Sequence, residues 1–410
     1  MRRGVAARLS GVRIRLAYLV ARLAVLLSQR VLGRTGGVIG GRVLLKLAPG
    51  CAPQLARGRR IVLISGTNGK STTTAMTAAA VAAERPVATN ADGSNTQPGI
   101  VWTLASQREA DVVLETDEAW MTWAIENLKP AVVVLLNLSR DQLHRNPEVH
   151  RIARTWREAL PAVPMAVANV DDPAVAWAAQ AAQGQTWVAA GQQWTADSVV
   201  CPQCGDMLQR DGAHWSSACG LSRPDPTWSL DGDAVLSGGD TVGAFSALPG
   251  AVNVSNAAMA VAAATAIGGS PARALAGANT IANVAGRYAQ VQVGRHHVRM
   301  ILAKNPAGWQ TAMDLVASGT GGIALAFNAA GVDGRDPSWL YDVDFEPIAH
   351  RSVSVCGERA TEMTVRLEID GAEPAQFEDL RSAISALPPG EVDLVANYSA
   401  FQQARRELGA

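Results

Sequence analysis

Lys70 is one of only four lysines in the chain, and its neighbours are the residue types that a polyphosphate needs. It lies in the run Gly66-Thr67-Asn68-Gly69-Lys70-Ser71-Thr72-Thr73. Glycines let the backbone turn so that successive N–H groups face phosphate oxygens, and the helix that follows adds its positive N-terminal end. The Lys70 ammonium can reach β- and γ-phosphates, and the Ser71 hydroxyl can hold Mg²⁺. A plain glycine turn before a helix would require neither the scarce lysine nor the hydroxyl run.

A second group of residues has metal-ligand spacing. Cys201-Pro202-Gln203-Cys204-Gly205 is followed by Cys219-Gly220, so three of the five cysteines fall within nineteen residues. That is too few and too uneven for a disulfide framework, and in a reducing compartment it reads as zinc binding. A structural zinc site takes four ligands. A second Cys-x-x-Cys ending at Cys219 would start at Ser216, which leaves His214 to supply a nitrogen; the alternatives are a weakened or absent site, or another ligand in the fourth position. Cys51 and Cys356 read as small apolar residues, and His296 and His297 as structural members of a strand.

The GTNGKST form of the phosphate loop resembles that of the Mur ligases, ATP-dependent amide-forming enzymes of cell-wall synthesis. Other segments match the same family in the same order. Glu115-Thr116-Asp117-Glu118 stands where Mur ligases carry a Mg²⁺-binding glutamate, which implies that role for Glu115. Asn137 to His144 resembles their Asn-x-x-x-Asp-His-x-Asp segment, with Gln142 and His144 departing from it, and Asn169-Val170-Asp171-Asp172 resembles their Asn-x-Asp-Asp. Asn253 and Asn256 match the paired asparagines of the nucleotide site, and Arg287 matches an arginine on the ATP phosphates. Only about sixty residues precede the loop, too few for the nucleotide-sugar domain of ordinary Mur ligases. The cysteine insertion, Lys304-Asn305-Pro306-Ala307-Gly308-Trp309 and the segment Asp333 to Asp342 resemble the MurT family, the synthetase subunits of lipid II isoglutaminyl synthases.

That resemblance implies ATP and Mg²⁺ as cofactors, zinc in the insertion, lipid II as substrate and a heterodimer with a GatD-type glutaminase. The reaction it implies is amidation of the α-carboxylate of stem-peptide D-glutamate through an acyl phosphate, with ammonia from glutamine. It also implies that an aspartate of the C-terminal domain completes the partner's Cys/His pair; Asp336 and Asp342 both lie in the matching segment, and Asp342 is favoured. Two other readings stay open. One is a Mur-type ligase adding an amino acid to another acceptor, which the short N-terminus and the tail motif argue against. The other is a non-catalytic nucleotide-binding scaffold, which ATP turnover would exclude.

The elements that must position these residues alternate along the chain. Arg59–Ile64 is a short β-branched run that ends in the glycine loop, and an Ala/Thr-rich helix follows. Apolar runs at 112–114, 131–136 and 165–168 are separated by helical stretches at 118–128 and 148–160. Strands alternating with helices make an α/β fold with a parallel sheet covered on both faces. Residues 197–245 lack that periodicity and read as a small zinc-ribbon-like β insertion; 251–268 return to helix. The expected division is a basic helical segment over 1–50, a Mur ligase-type ATP-binding domain over 51–290 and an α/β domain over 291–410 that contacts the glutaminase.

Composition bounds these readings. The chain has 410 residues, of which 48% are hydrophobic and 18% charged, which excludes a largely disordered chain. Net charge is zero, yet the first 83 residues hold 14 of the 36 basic residues and no acidic one. The apolar run 16–27 is interrupted by Arg22 and is shorter than the ~18 residues of a membrane span. Ser28-Gln29-Arg30 offers no signal-peptidase site, so a cytoplasmic chain is expected. Arg13, Arg15, Arg22 and Arg30 among leucines and valines make a basic amphipathic helix, either docked on the core or in peripheral contact with an anionic membrane. Without interleaved aromatics or a recognisable module, nucleic-acid binding is not expected.

Overall fold

In the computed structural model of the chain, the described residues are 2–32, 37–141, 149–283, 288–330 and 336–409. They divide into two compact units. The described residues of the first fall within 1–138, 149–192 and 198–282; those of the second fall within 139–148, 193–197 and 283–410.

The first unit opens with helices α1 (Arg2–Leu32), α2 (Gly37–Leu47) and α3 (Ala52–Ala56). Then strand and helix alternate: β1 (Arg60–Ser65), α4 (Lys70–Ala82), β2 (Val87–Thr89), α5 (Gln97–Ser106), β3 (Asp111–Glu115), α6 (Met121–Leu128), β4 (Val132–Leu135), α7 (Val149–Ala159), β5 (Met165–Asn169), α8 (Pro173–Ala179) and β6 (Gln185–Val188). These strands form a parallel array in the order β2-β3-β1-β4-β5-β6. Ile61 to Ile64 are fully buried because helices cover both faces, so β1 reads as a continuous apolar run and does not alternate.

Helix α2 holds Gly37, Gly40 and Gly41 against their propensity, and packing explains why. A Cβ on Gly40 would lie 2.5 Å from the Trp102 ring and one on Gly41 1.7 Å from the Pro98 carbonyl oxygen, so α2 can only sit on α5 with glycine there. Tertiary contact overrides a local cost of about 1 kcal/mol per glycine.

Residues 198–245 do not form one separate insertion. Strands β7 (Gln209–Asp211) and β8 (His214–Ser216) make a two-stranded hairpin, while β9 (Trp228–Asp231), β10 (Ala234–Ser237) and β11 (Asp240–Ala244) join the main sheet beyond β6 and bring it to nine strands. β9 runs parallel to β6, and the last two connections are antiparallel hairpins, which need only short turns. Helices α9 (Ala251–Ala266) and α10 (Pro271–Ala278) follow. Small alanine side chains let α9 pack closely, and Ala257 to Ala264 are all buried.

The second unit has its own sheet. Its elements are β12 (Tyr288–Val293), β13 (His296–Leu302), α11 (Pro306–Ala317), β14 (Gly322–Ala326), β15 (Val353–Cys356), α12 (Ala360–Ile369), β16 (Ala375–Gln376), α13 (Leu380–Ser385), β17 (Gly390–Ala396) and α14 (Tyr398–Leu408). The order is β12-β13-β17-β14-β15-β16, parallel except for β12 against β13. Each face carries a separate apolar cluster, one around Trp309 and Phe345, the other around Phe401 and Leu394.

Candidate active site

The loop Gly66–Gly69 leaves β1 and enters α4 at Lys70. Asn137, just beyond β4, pins it from the side. The Asn137 Oδ1 accepts from the Asn68 N–H (2.9 Å), Nδ2 donates to the Asn68 carbonyl (3.1 Å), and the Asn137 carbonyl accepts from the Thr67 N–H (2.9 Å). Gly69 has φ of +83°, and a Cβ there would approach Asn256 Oδ1 to 2.6 Å, so glycine is required on both counts. The buried Lys70 ammonium donates to the carbonyls of Gly66 (2.5 Å) and Thr67 (3.2 Å) and to a carboxylate oxygen of Glu118 (3.0 Å). Glu118 thereby compensates a charge whose unpaired burial would be costly.

Glu115 ends β3 beside β1, in register with Ile64. Its Oε1 accepts from Asn95 Nδ2 (2.9 Å), and its backbone N–H donates to Asn90 Oδ1 (2.9 Å). On α9, Asn256 Oδ1 accepts from the Thr73 hydroxyl (3.2 Å), and Asn253 Nδ2 donates to the Pro249 carbonyl (2.7 Å). Loop, lysine, Glu115 and Asn256 thus collect at the carboxyl ends of parallel strands, where open α/β sheets bind ligands. Arg287, Gln142 and His144 lie outside the described residues.

The Asn-x-Asp-Asp segment works as a set of fasteners. Asp172 caps α8 through the N–H groups of Ala174 and Val175 and also accepts from the Leu138 N–H (2.8 Å). Burial pushes its carboxyl up to about 6, against the pull of those N–H groups. Asp171 takes the Arg223 guanidinium at 2.7 Å, and Trp215 donates its indole N–H to the Val170 carbonyl at 2.8 Å. These two contacts tie the cysteine hairpin to the sheet.

Cys201, Cys204 and Cys219 do meet: their sulfurs lie within 4.8 Å of one another. His214 does not belong to this group. It sits in β8 opposite Asp211, where the hairpin register commits it. The oxygen that approaches instead is Ser217 Oγ, 3.3 Å from Cys204 Sγ and 3.5 Å from Cys219 Sγ, while Cys201 and Cys219 stand 3.7 Å apart. With Zn–S of about 2.3 Å and Zn–O of about 2.0 Å, tetrahedral edges come to about 3.8 Å between sulfurs and about 3.5 Å from sulfur to oxygen. The observed edges fit a three-thiolate, one-hydroxyl donor set. The Ser217 hydroxyl and the Leu221 N–H also bring the Cys219 thiol down to about 7.

In the second unit, Asn305 caps α11 by accepting from the Gly308 N–H (2.8 Å), and Lys304 pairs with Asp141 at 2.7 Å. Trp309 is buried against Phe327, Trp339 and Phe345, and this aromatic cluster anchors the segment that carries the two candidate aspartates. Asp342 ends the short turn Ser338–Asp342, and Asp336 stands two residues before it. Asp336 accepts from the Ser338 N–H (3.0 Å), and the Ser338 N–H and hydroxyl hold its carboxyl below the usual range. Asp342 pairs with Arg140 at 3.2 Å, and Arg140 also grips Asp197 at 2.5 Å. Gln310 accepts from the Asp344 N–H (3.0 Å) and so fastens the far side of the same segment.

Residues 64–264 match the Mur ligase middle domain, and residues 302–401 match the MurT ligase C-terminal domain. The chain thus joins a segment that matches the Mur ligase middle domain to one that matches the MurT ligase C-terminal domain. The MurT subunit of lipid II isoglutaminyl synthase (glutamine-hydrolyzing) from Streptococcus pneumoniae is 26% identical, over 92% of this chain and 93% of that protein. The subunit of the same name from Staphylococcus aureus is 28% identical, over 84% and 86%. Among solved structures, a pseudomurein peptide ligase type C from Methanothermus fervidus superposes with a TM-score of 0.65 at 18% identity, covering 85% of this chain and 78% of that one, which is a likeness of fold.

The expected site residues fall into three groups. Gly66 to Thr72, Asn256 and Glu115 gather around one loop, with Asn253 one helical turn from Asn256. The three cysteines gather in the hairpin. Asp342 ends a short turn of the second unit, and Asp336 lies just before that turn. Sequence reasoning missed Glu118 and Ser217. Glu118 could have been found from its place three residues after Glu115, next to a lysine that needs a counter-charge. Ser217 gave no linear signal, because the Cys-x-x-Cys rule points to its neighbour.

Proposed function

We propose that the chain is the synthetase subunit of a lipid II isoglutaminyl synthase. It would activate the α-carboxylate of stem-peptide D-glutamate with ATP, releasing ADP and forming an acyl phosphate; ammonia then displaces phosphate and leaves the amide of D-isoglutamine. The observation that carries this reading is one chain joining the pinned phosphate loop around Lys70 to a MurT C-terminal domain, with relatives of that name aligned almost end to end. A carboxylate is a poor electrophile, and transfer of a phosphoryl group supplies the leaving group. Lys70 would exchange its carbonyl and Glu118 partners for phosphate oxygens, and Asn137 would keep the loop N–H groups aimed at them. Ser71 and Glu115 are the residues that would hold Mg²⁺, whose charge offsets that of the phosphates.

The zinc reading follows the fit of the hairpin: Cys201, Cys204 and Cys219 would be the thiolates and Ser217 the fourth donor. The partner would be a GatD-type glutaminase, as the relatives' status as glutamine-hydrolyzing subunits supports, and the place of work the cytoplasm, where ATP and glutamine are found.

The test is amidation of lipid II with ATP and ammonium, read by mass spectrometry, with and without a GatD-type partner and glutamine. Product that is lost in Lys70→Ala supports the reading. ATP turnover without amide product on authenticated lipid II would shift it to another acceptor, and no ATP turnover by folded protein would leave a scaffold.

A further inference from the structure

Over residues 12–30, helix α1 packs on the rest of the first unit by one face, with Ile14 and Tyr18 partly buried at its edge. Ala17, Ala21, Val25 and Ser28 are buried, and Val25 lies against α2 where Gly40 makes room. The opposite face is apolar and open. Val12, Leu16, Leu19, Val20, Leu23, Leu26 and Leu27 are 47–60% exposed, the densest group of exposed large aliphatic side chains among the described residues. At about 100° per residue these positions fill a stripe roughly 120° wide, centred opposite the packed face. Arg15 and Arg22 flank the stripe on one side and Arg13, which donates to the Leu47 carbonyl, on the other; Arg30 closes its C-terminal end; all four are exposed, and no acidic residue occurs before Glu84.

We propose that this face of α1 lies in the headgroup–acyl boundary of an anionic bilayer, with the chain held at the membrane surface. An apolar stripe bordered by arginines is what an interfacial helix presents: aliphatic side chains enter the acyl boundary and guanidinium groups stay with lipid phosphates. No helix among the described residues is long and apolar enough to cross a membrane, so the contact is peripheral. A second copy of the chain is a poorer occupant. Pairing two such stripes would set arginine against arginine along both flanks, where helix pairs need opposite charges. The inference rests on the proposed function only for its purpose: a lipid-linked substrate is met in the plane of the membrane.

The experiment uses the full-length chain and vesicles of phosphatidylcholine alone or mixed with phosphatidylglycerol, separated by flotation, with neither ATP nor lipid II present. The chain is expected to float with the anionic vesicles and to be released by salt. Arg15→Ala/Arg22→Ala should weaken partition by about fivefold per arginine removed. Leu16→Glu/Leu23→Glu should abolish it without lowering the thermal unfolding temperature, because both side chains already face solvent. A Leu19→Trp reporter should be quenched by brominated acyl chains. Absence of flotation, or equal flotation of the unaltered chain and Leu16→Glu/Leu23→Glu, overturns the proposal. So does self-association that the glutamates abolish in a chain that does not bind lipid, which would give the face to a second copy. Amidation of a water-soluble stem peptide by Leu16→Glu/Leu23→Glu keeps this test separate from that of the proposed reaction.

Discussion

Ser217 is the residue on which the proposed metal chemistry of the hairpin turns. A hydroxyl gives up its proton far less readily than a thiol, and metal ligands bind best when deprotonated, so a donor set of three thiolates and one hydroxyl holds zinc less tightly than four thiolates. The expected outcome is a chain that carries zinc as purified and loses it to a chelator. Ser217→Cys should slow that loss at least about tenfold, and cobalt substitution should show stronger thiolate-to-metal charge transfer in that variant. If Ser216→Cys tightens the metal and Ser217→Cys does not, the fourth position belongs to Ser216. Metal content near zero without any chelator would remove zinc altogether. The three cysteines were legible because a Cys-x-x-Cys knuckle is a local motif. The proposed fourth donor was not: Ser217 reaches the cluster through the register of β7 on β8 and the bridge from Ser216 to Ser222, which no spacing rule encodes. Likewise Lys70 could be read from its loop, but its partner Glu118 comes from beyond a neighbouring strand.

At the scale of elements, Asp172 joins three of them, capping α8, following β5 and receiving the N–H of Leu138 beyond β4. Its carboxyl is raised from 3.8 to about 6 by burial, so the folded state holds that proton more tightly than the unfolded chain does. Such a group contributes stability that is fully present below about 4 and lost as pH rises through about 6, on the order of 3 kcal/mol over the whole range. Denaturant unfolding of the unaltered chain and Asp172→Asn should therefore give a stability difference that moves in favour of the unaltered chain as pH falls from 7 to 4. A difference independent of pH would show that Asp172 is ionised throughout. The central elements β1, β3, β4 and β5 were legible because buried parallel strands are continuous β-branched runs. Helix α2 falls within the expected helical segment 1–50, and its glycines serve the contact with α5 and not the helix itself. The edge strands β9 to β11 looked like an irregular insertion because half-buried edges carry polar residues and turn glycines that hide their period.

At the scale of the whole molecule, two parallel sheets with separate cores were foreshadowed by strand–helix alternation on both sides of about residue 290. What linear reading could not assign were the short runs 139–141 and 193–197, which cluster with the second unit through Lys304–Asp141 and Arg140–Asp197. That clustering bears on the glutaminase partner. A carboxylate that completes a Cys/His pair must be free to face an imidazolium, orienting it and balancing its charge. The sequence favoured Asp342, but its carboxylate is already neutralised by Arg140, whereas among the described residues Asp336 is held by the N–H and hydroxyl of Ser338. The expectation therefore shifts to Asp336. In a complex with a GatD-type partner, Asp336→Asn should cut glutamine hydrolysis by about a hundredfold or more while ammonium-driven amidation continues. Asp342→Asn should change hydrolysis little and stability by less than about 1 kcal/mol, since it breaks a half-exposed ion pair. Loss of hydrolysis in Asp342→Asn alone would mean that Arg140 releases its partner when the glutaminase docks, and unchanged hydrolysis in both variants would take the aspartate out of this segment.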